Sequence, residues 1–353
     1  MRSILKREVK NYMKNPLLWL GIVIGVFMVF QNVSPYLNIH YLREGETIVN
    51  DYPQNYRDGD VSCGYVPTEK ALRREMWEER IQEVLTSEFE MDNEGALSVI
   101  DDMKGMDLKT ACAHLEGYGF YNAYYEYENT AYHKGTHEEI NSYISEKLEN
   151  RAFSYYFSRK FADFAGLFMG FFATVLLSVL FMQDTRRNTY ELLHTKPVSA
   201  GKYLSGKVGG GFAVCLIILA ALNLIFFGIC LASTRNSGFE VRLTDFLVAS
   251  CFYILPNMLM IVSVYSLISL LFKSPLPAVP FLFLYIVYSM GSRNAEGIYG
   301  YYGRPLAIMV RFPGGFFDTA PPPMALLNQS FLILAAICIV FLSMQIWKRR
   351  RVY

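Results

Sequence analysis

Ionisable side chains are almost missing from six apolar stretches of this 353-residue chain, which begin near Pro16, Phe161, Phe212, Phe246, Pro275 and Ala325. Proton pumps and ion-coupled carriers need carboxylates in such stretches, so their scarcity counts against that class. Histidine is scarce too: there are five, and the closest pair, His133 and His137, has Gly135 between them and no cysteine to complete a metal site. Both read as solvated loop residues, and no metal is expected. An H-E-x-x-H helix and a nucleophile elbow are both missing, which removes the signatures of zinc and serine hydrolases. Of the six cysteines, Cys215, Cys230, Cys251 and Cys338 fall in apolar stretches as small filler. Cys63 and Cys112 lie elsewhere, and their spacing leaves a disulfide between them as open as two free thiols. Formal charge is only +1, and no nucleic-acid partner is expected.

What is present is apolar length. The stretches run to about 16–26 residues, enough or nearly enough to cross a hydrocarbon core of ~30 Å. Basic residues near span ends set orientation. Arg2, Lys6, Arg7, Lys10 and Lys14 precede the first stretch, and Arg186, Arg187, Lys196, Lys202 and Lys207 lie between the second and third. Lys273 lies between the fourth and fifth, and Lys348, Arg349, Arg350 and Arg351 follow the sixth. All fall on one side of a six-crossing chain. The expected fold is therefore an all-α integral membrane protein of the cell membrane, with six transmembrane helices and both termini cytoplasmic. The spans are placed at 16–38, 161–183, 208–232, 246–271, 275–290 and 325–347, with a cytoplasmic tail at 348–353. The first stretch has a long polar leader and no small-x-small cleavage site in Gln31 to Tyr41, so it reads as a retained anchor rather than a secretory signal. Pro256 interrupts the fourth span, and Pro275, Pro277 and Pro280 open a short fifth.

Residues 1–15 read as an amphipathic helix on the inner membrane surface, with Ile4, Leu5, Val9, Tyr12 and Met13 on one face and Arg2, Lys6, Lys10 and Lys14 on another. An ordinary basic leader fits the same residues. Residues 39–160 form the expected external domain, acidic because positions 43–150 hold 24 acidic and 10 basic side chains. Helical spacing at Leu72, Met76, Ile81, Val84 and Leu85, at Leu97, Ile100 and Met103, and at Leu108, Ala111, Cys112 and Leu115 makes it mainly helical. Its carboxylate pairs, such as Glu78 with Glu79, point in different directions and read as a solvated face. The Tyr-rich stretch from Tyr118 to Tyr132 is expected as loops or short strands packed within the domain, with the membrane interface as the other possibility. Thr136 and Glu139 make a capping box for a helix that is expected to run on towards the second span. A further external stretch at 291–324, rich in Gly, Pro and aromatics including Phe312, Phe316 and Phe317, is expected to dip back into the outer leaflet.

Three polar residues stand out in the spans. Asp163 is expected to reach interfacial water, while Asn223 and Asn257, mid-way along the third and fourth spans, suggest an interhelical hydrogen bond of ~0.6 kcal/mol. Gly201, Gly206 and Lys207 imitate a phosphate-binding loop, but Val208 stands where a magnesium-binding hydroxyl is needed and no strand precedes it. The chain is expected to carry no cofactor.

The inner loop at 184–207, with its RRNTYELLHTKPVSAGKYLSGK run from Arg186 to Lys207, resembles the permease subunits of ABC type 2 exporters. The basic start, the large insertion after the first span and the order of the six spans are similar to that family as well. The resemblance implies that Tyr190, Glu191, Leu192, Leu193 and His194 form a coupling helix ended by Lys196 and Pro197, which docks on a separate ABC ATPase. It further implies two copies of that ATPase, which bind ATP and Mg, a second permease copy or a homologous permease, and export of a substrate that the sequence does not identify. Residues 291–324 would match the family's re-entrant outer gate. A membrane-anchored receptor for an extracellular peptide or envelope ligand is the alternative, and a membrane enzyme on lipid-linked substrates lacks the clustered catalytic groups it would need.

Overall fold

The computed structural model describes residues 2–46, 48, 60–185, 199–290, 304–312 and 314–349. In chain order, α1 (Arg2–Met13) and α2 (Pro16–Val33) come first. The inserted segment contributes β1 (Tyr65–Pro67), α3 (Lys70–Ser87), α4 (Asn93–Asp102), α5 (Leu108–Glu116), α6 (Ala123–Asn129), β2 (Tyr132–Lys134) and α7 (His137–Asn150). Then follow α8 (Phe153–Thr185), α9 (Ala200–Ser233), α10 (Leu243–Tyr253), α11 (Leu255–Phe272), α12 (Ala278–Met290) and α13 (Ala325–Arg349). They form two compact units, one of Met1–Asn38, Arg151–Gly314 and Asp318–Tyr353, the other of Ile39–Asn150 with Gly315–Phe317.

The first unit is a bundle of apolar helices. Pro16 opens α2 because a first-turn residue needs no amide donor, and Asn15 caps it by accepting from the Leu17 N–H at 3.0 Å. Among the described residues five segments are long and apolar enough to cross a membrane: Pro16–Asn38, Phe153–Val179, Ala200–Asn236, Leu243–Phe272 and Ala325–Arg349. The fourth of these breaks at Ile254, just ahead of Pro256, into α10 and α11. α12 has only 13 residues, about 20 Å of helix, because the prolines before it delay its start to Ala278. That is short of the ~30 Å hydrocarbon core. Gly21 and Gly25 lie one turn apart on α2, and the stacked rings of Phe168 and Phe172 on α8, with centroids 5.3 Å apart, fill the space their missing side chains leave. Small residues at this spacing let membrane helices approach closely.

The second unit has its own core. Trp77, Ile81, Val84 and Leu85 of α3 meet Val99 and Ile100 of α4, Leu115 of α5, and Phe120. Trp77 is sealed, and its indole N–H donates to the Ala123 carbonyl at 2.8 Å. Leu72 and Leu97, expected inside, are exposed instead, since each lies off the stripe that the helix buries. The tyrosine stretch yields a short helix, α6, besides the expected strand, and Tyr127 stands edge-on to Trp77 at 5.7 Å. β1 and β2 pair antiparallel, Tyr65 opposite Lys134. The capping box is present: the Thr136 N–H reaches the Glu139 carboxylate at 2.7 Å and the Glu139 N–H reaches the Thr136 hydroxyl at 3.3 Å. α7 does not run into the following span; it ends at Asn150, and α8 starts at Phe153, ahead of the apolar run at Phe161. Residues 315–317 join this unit through the Phe316 N–H, which donates to Asp60 at 2.7 Å, and the Phe317 ring, 5.5 Å from Tyr143.

Candidate functional site

Two groups of polar side chains stand out in the first unit, near opposite ends of α8. Near its C-terminal end, α1 lies across α8 and α9. Glu8 and Tyr12, one helical turn apart, share the inward face of α1. The Tyr12 hydroxyl donates to the Leu176 carbonyl of α8 at 3.0 Å, and the Glu8 carboxylate stands 3.4 Å from the Lys207 ammonium of α9. Lys207 is 1% exposed and Glu8 8%, so this is a buried ion pair, and Phe181 lies beneath the ammonium at 5.3 Å. A Cβ at Gly210 would come within 2.8 Å of Glu8, so the close approach of α1 depends on that glycine. Lys6, Lys10 and Lys14 are exposed on the other faces. Arg2 and Arg7 belong to the same helix, with side chains outside the described residues. Gly201, Gly206 and Lys207 are all helical, so the phosphate-loop pattern forms no cradle. Tyr190, Glu191, Leu192, Leu193, His194, Lys196 and Pro197 lie outside the described residues. Just beyond them, the Tyr203 ring stacks on Trp347 of α13 at 4.3 Å.

Near the start of α8, roughly 33 Å along its axis from Thr185, a non-helical stretch is packed into the bundle. Ala307, Ile308, Met309, Val310 and Phe312 are all buried there. Backbone groups without a helix or sheet must find other partners when buried, and side chains supply them here. Lys160 donates to the carbonyls of Phe312, at 3.1 Å, and Gly314. Ser289 accepts from the Ile308 N–H at 3.0 Å, Asn328 donates to the Ala307 carbonyl at 2.9 Å, and Tyr288 donates to that of Pro305 at 3.2 Å. Arg311 pairs with Asp163 of α8, and Arg159 donates to the Thr319 carbonyl at 2.7 Å. Asp163 is therefore buried and ion-paired, not in interfacial water, because a cation of the packed stretch reaches it first. Sequence reading missed Lys160 and Lys207 as buried cations and Arg311 as a partly buried one. The available signal was Arg311 itself, a lone charge within the apolar run from Leu306 to Phe312.

Between these ends, Asn223 and Asn257 find separate partners. Asn223 exchanges hydrogen bonds with Ser250 of α10 at 2.9 and 3.0 Å, whereas Asn257 of α11 donates across the kink to the Tyr253 carbonyl at the end of α10, at 2.6 Å. Neither Cys63 nor Cys112 is in a disulfide, so the bridge considered from sequence is not formed. Cys63 belongs to a 3-10 turn, while Cys112 packs against the α3–α6 core, where burial pushes its thiol pKa up. The histidines are not loop residues: His133, in β2, meets Thr68 at 3.2 Å, and His137, which begins α7, meets the Leu42 carbonyl at 2.7 Å. Among the described residues no cluster of three potential ligands could hold a metal.

Comparison with known proteins gives one match: the family model for ABC-2 family transporter proteins covers residues 2–296. No curated protein matches the chain. Nor does any solved structure.

Proposed function

The chain belongs to the ABC-2 family of transporter proteins, and from that premise we propose that it is the six-span permease subunit of an exporter, driven by ATP hydrolysis on a separate subunit. Membership makes it a multi-pass membrane transport subunit and not itself the catalyst. In the proposed assembly two copies of an ABC ATPase bind ATP and Mg, and this chain pairs with a second copy of itself or with a homologous permease. Both termini and the loop between α8 and α9 face the cytoplasm, while the 39–160 domain and the stretch before α13 lie outside, as the distribution of Lys and Arg favours.

One observation carries the mechanism. The loop joins α8 to α9, and α1 holds both of those helices, through Tyr12 to Leu176 and through Glu8 to Lys207. Force applied to the loop by an ATPase closing on nucleotide therefore moves α8, α9 and α1 together rather than bending one span. α8 carries that displacement to Asp163 and Lys160, the residues that hold the buried stretch at the other end. Opening that stretch releases the substrate outward. Tyr190 to His194 would form the docking helix and Lys196 and Pro197 its end.

Co-purification tests the docking assignment. Replacing Glu191 by Lys and Leu192 by Asp should abolish recovery of the ATPase with the tagged permease while leaving the permease folded, and undiminished recovery would overturn it. An external receptor draws support from an open cleft of about 780 Å³ in the second unit, lined by Glu69, His133, Glu138, Glu146 and Tyr143 among others. If a reconstituted complex hydrolysed ATP in response to an added peptide yet moved no solute, that reading would replace the transporter.

A further inference from the structure

The buried stretch walls one side of a second cavity, which the transport mechanism leaves unused. Its volume is about 350 Å³, within the range of small-ligand sites. The opposite wall is the first turns of α13, including Leu327 and Phe331, and Met309 and Val310 supply part of the near wall. Nearly all of the lining is apolar. Around the mouth, Leu306, Met324, Leu327 and Phe331 are 44%, 71%, 46% and 51% exposed, a continuous apolar rim at the end of a membrane-crossing helix.

Among the described residues one charged group lines this cavity: Arg304. Its guanidinium lies over the Tyr288 ring at 5.0 Å, and its Nε is buried without a hydrogen-bond partner. A ring face attracts a cation but accepts no strong hydrogen bond, so Arg304 keeps an unmet demand for an anionic acceptor at the rim of an apolar slot. A guanidinium matches a phosphate in geometry, and several N–H donors can engage it at once.

We propose that this cavity holds an anionic phospholipid of the adjoining leaflet, with one acyl chain between Val310 and Phe331 and its phosphate on Arg304. The bound lipid then lies against the same stretch that Lys160 and Arg311 fasten, and its chain supports that stretch from the side where protein packing is missing. The inference rests on the membrane embedding of the bundle and stands whether or not the chain transports anything.

Photolabelling of the full-length permease, reconstituted alone in lipid nanodiscs, tests it. Phosphatidylglycerol and phosphatidylcholine, each with a diazirine in the acyl chain, are crosslinked and the labelled peptides mapped. Phosphatidylglycerol is expected to mark residues 304–310 and 324–331 several-fold more than phosphatidylcholine. Arg304→Gln should remove that difference, while labelling of the exposed α2 residues Val23 and Phe27 stays constant. Leu327→Trp, at a half-exposed position that should fold normally, fills the slot and should lower labelling by both probes. Equal labelling by the two headgroups in the unmodified protein would mean ordinary surrounding lipid only and overturn the proposal. So would a phosphatidylglycerol preference that survives Arg304→Gln. Because no ATPase is present, a failure of the exporter reading leaves this result untouched.

Discussion

Glu8 and Lys207 face each other at 3.4 Å, almost without solvent, across the contact between α1 and α9. Taking two charges out of water costs much of what their attraction returns, but leaving one of them alone costs far more. Glu8→Gln or Lys207→Met should therefore destabilise the bundle by about 3–5 kcal/mol. The double variant Glu8→Gln/Lys207→Met should be much less impaired than the sum of the singles, because it leaves no buried charge. Thermal unfolding of the three purified variants measures this, and additive losses would show that the pair is not coupled.

The Asp163–Arg311 pair predicts a change in access. Ile308 is fully buried in the stretch that this pair fastens, so a cysteine placed there should react slowly with a soluble maleimide in nanodiscs. Asp163→Asn should raise the reaction at that position at least tenfold, read by peptide mass mapping so that the six native cysteines do not interfere. Asp163→Arg combined with Arg311→Asp should bring it back down. Unchanged labelling in Asp163→Asn would mean that Lys160, Ser289 and Asn328 hold the stretch without the ion pair.

How far the sequence carried depended on whether a feature was local. The apolar runs, the Pro256 break and the Thr136–Glu139 box are set by neighbours within a few residues, and among the described residues the structure contains the break, the box and five of the six runs as helices of spanning length. The core of the inserted unit was also legible in outline, from the spacing of Ile81, Val84, Leu85, Ile100 and Leu115. Lys160 and Lys207 were not. A lysine at the edge of an apolar run reads as a solvated flank, and only a partner far along the chain, Glu8 or the carbonyl of Phe312, makes its burial tolerable. Asn223 found a serine rather than the other asparagine for the same reason: a polar side chain in a span bonds whatever the packing places beside it.

Gly21 and Gly25 carry the α2–α8 contact, and the tighter position is Gly21, where a Cβ would fall 1.7 Å from the tip of the Phe172 ring. That ring is stacked on Phe168, which fills the corresponding space over Gly25, so neither can move away freely. Gly21→Leu should cost about 1–3 kcal/mol by overpacking. Gly21→Ala with Phe172→Leu should recover most of the stability, since the shorter side chain vacates the space. Melting temperatures in one detergent compare them, and a Gly21→Leu protein as stable as the parent would show that α2 can shift at no cost.

The capping box of α7 gives a prediction in pH. The Thr136 N–H hydrogen bond, the main influence, holds the Glu139 carboxylate below its ordinary value of 4.5, with the Thr136 hydroxyl and His133 acting in the same direction. A carboxylate whose pKa is lower in the folded state stabilises that state most when it is ionised in both states. The contribution is therefore complete above about pH 4.5, shrinks as the pH falls below that, and is gone once the folded carboxyl is itself protonated. Glu139 is half exposed, so the effect is modest and weakens with salt. Thr136→Ala removes the hydroxyl acceptor and should cost about 1 kcal/mol at neutral pH. Glu139→Gln should fall behind the parent at pH 7, and the gap should narrow as the pH drops below about 4.5 and close once the folded carboxyl is protonated. Amide exchange of the first turn of α7, corrected for intrinsic rates, distinguishes these cases, and a gap between Glu139→Gln and parent that stays constant from pH 3.5 to 7 would remove the charge from the argument.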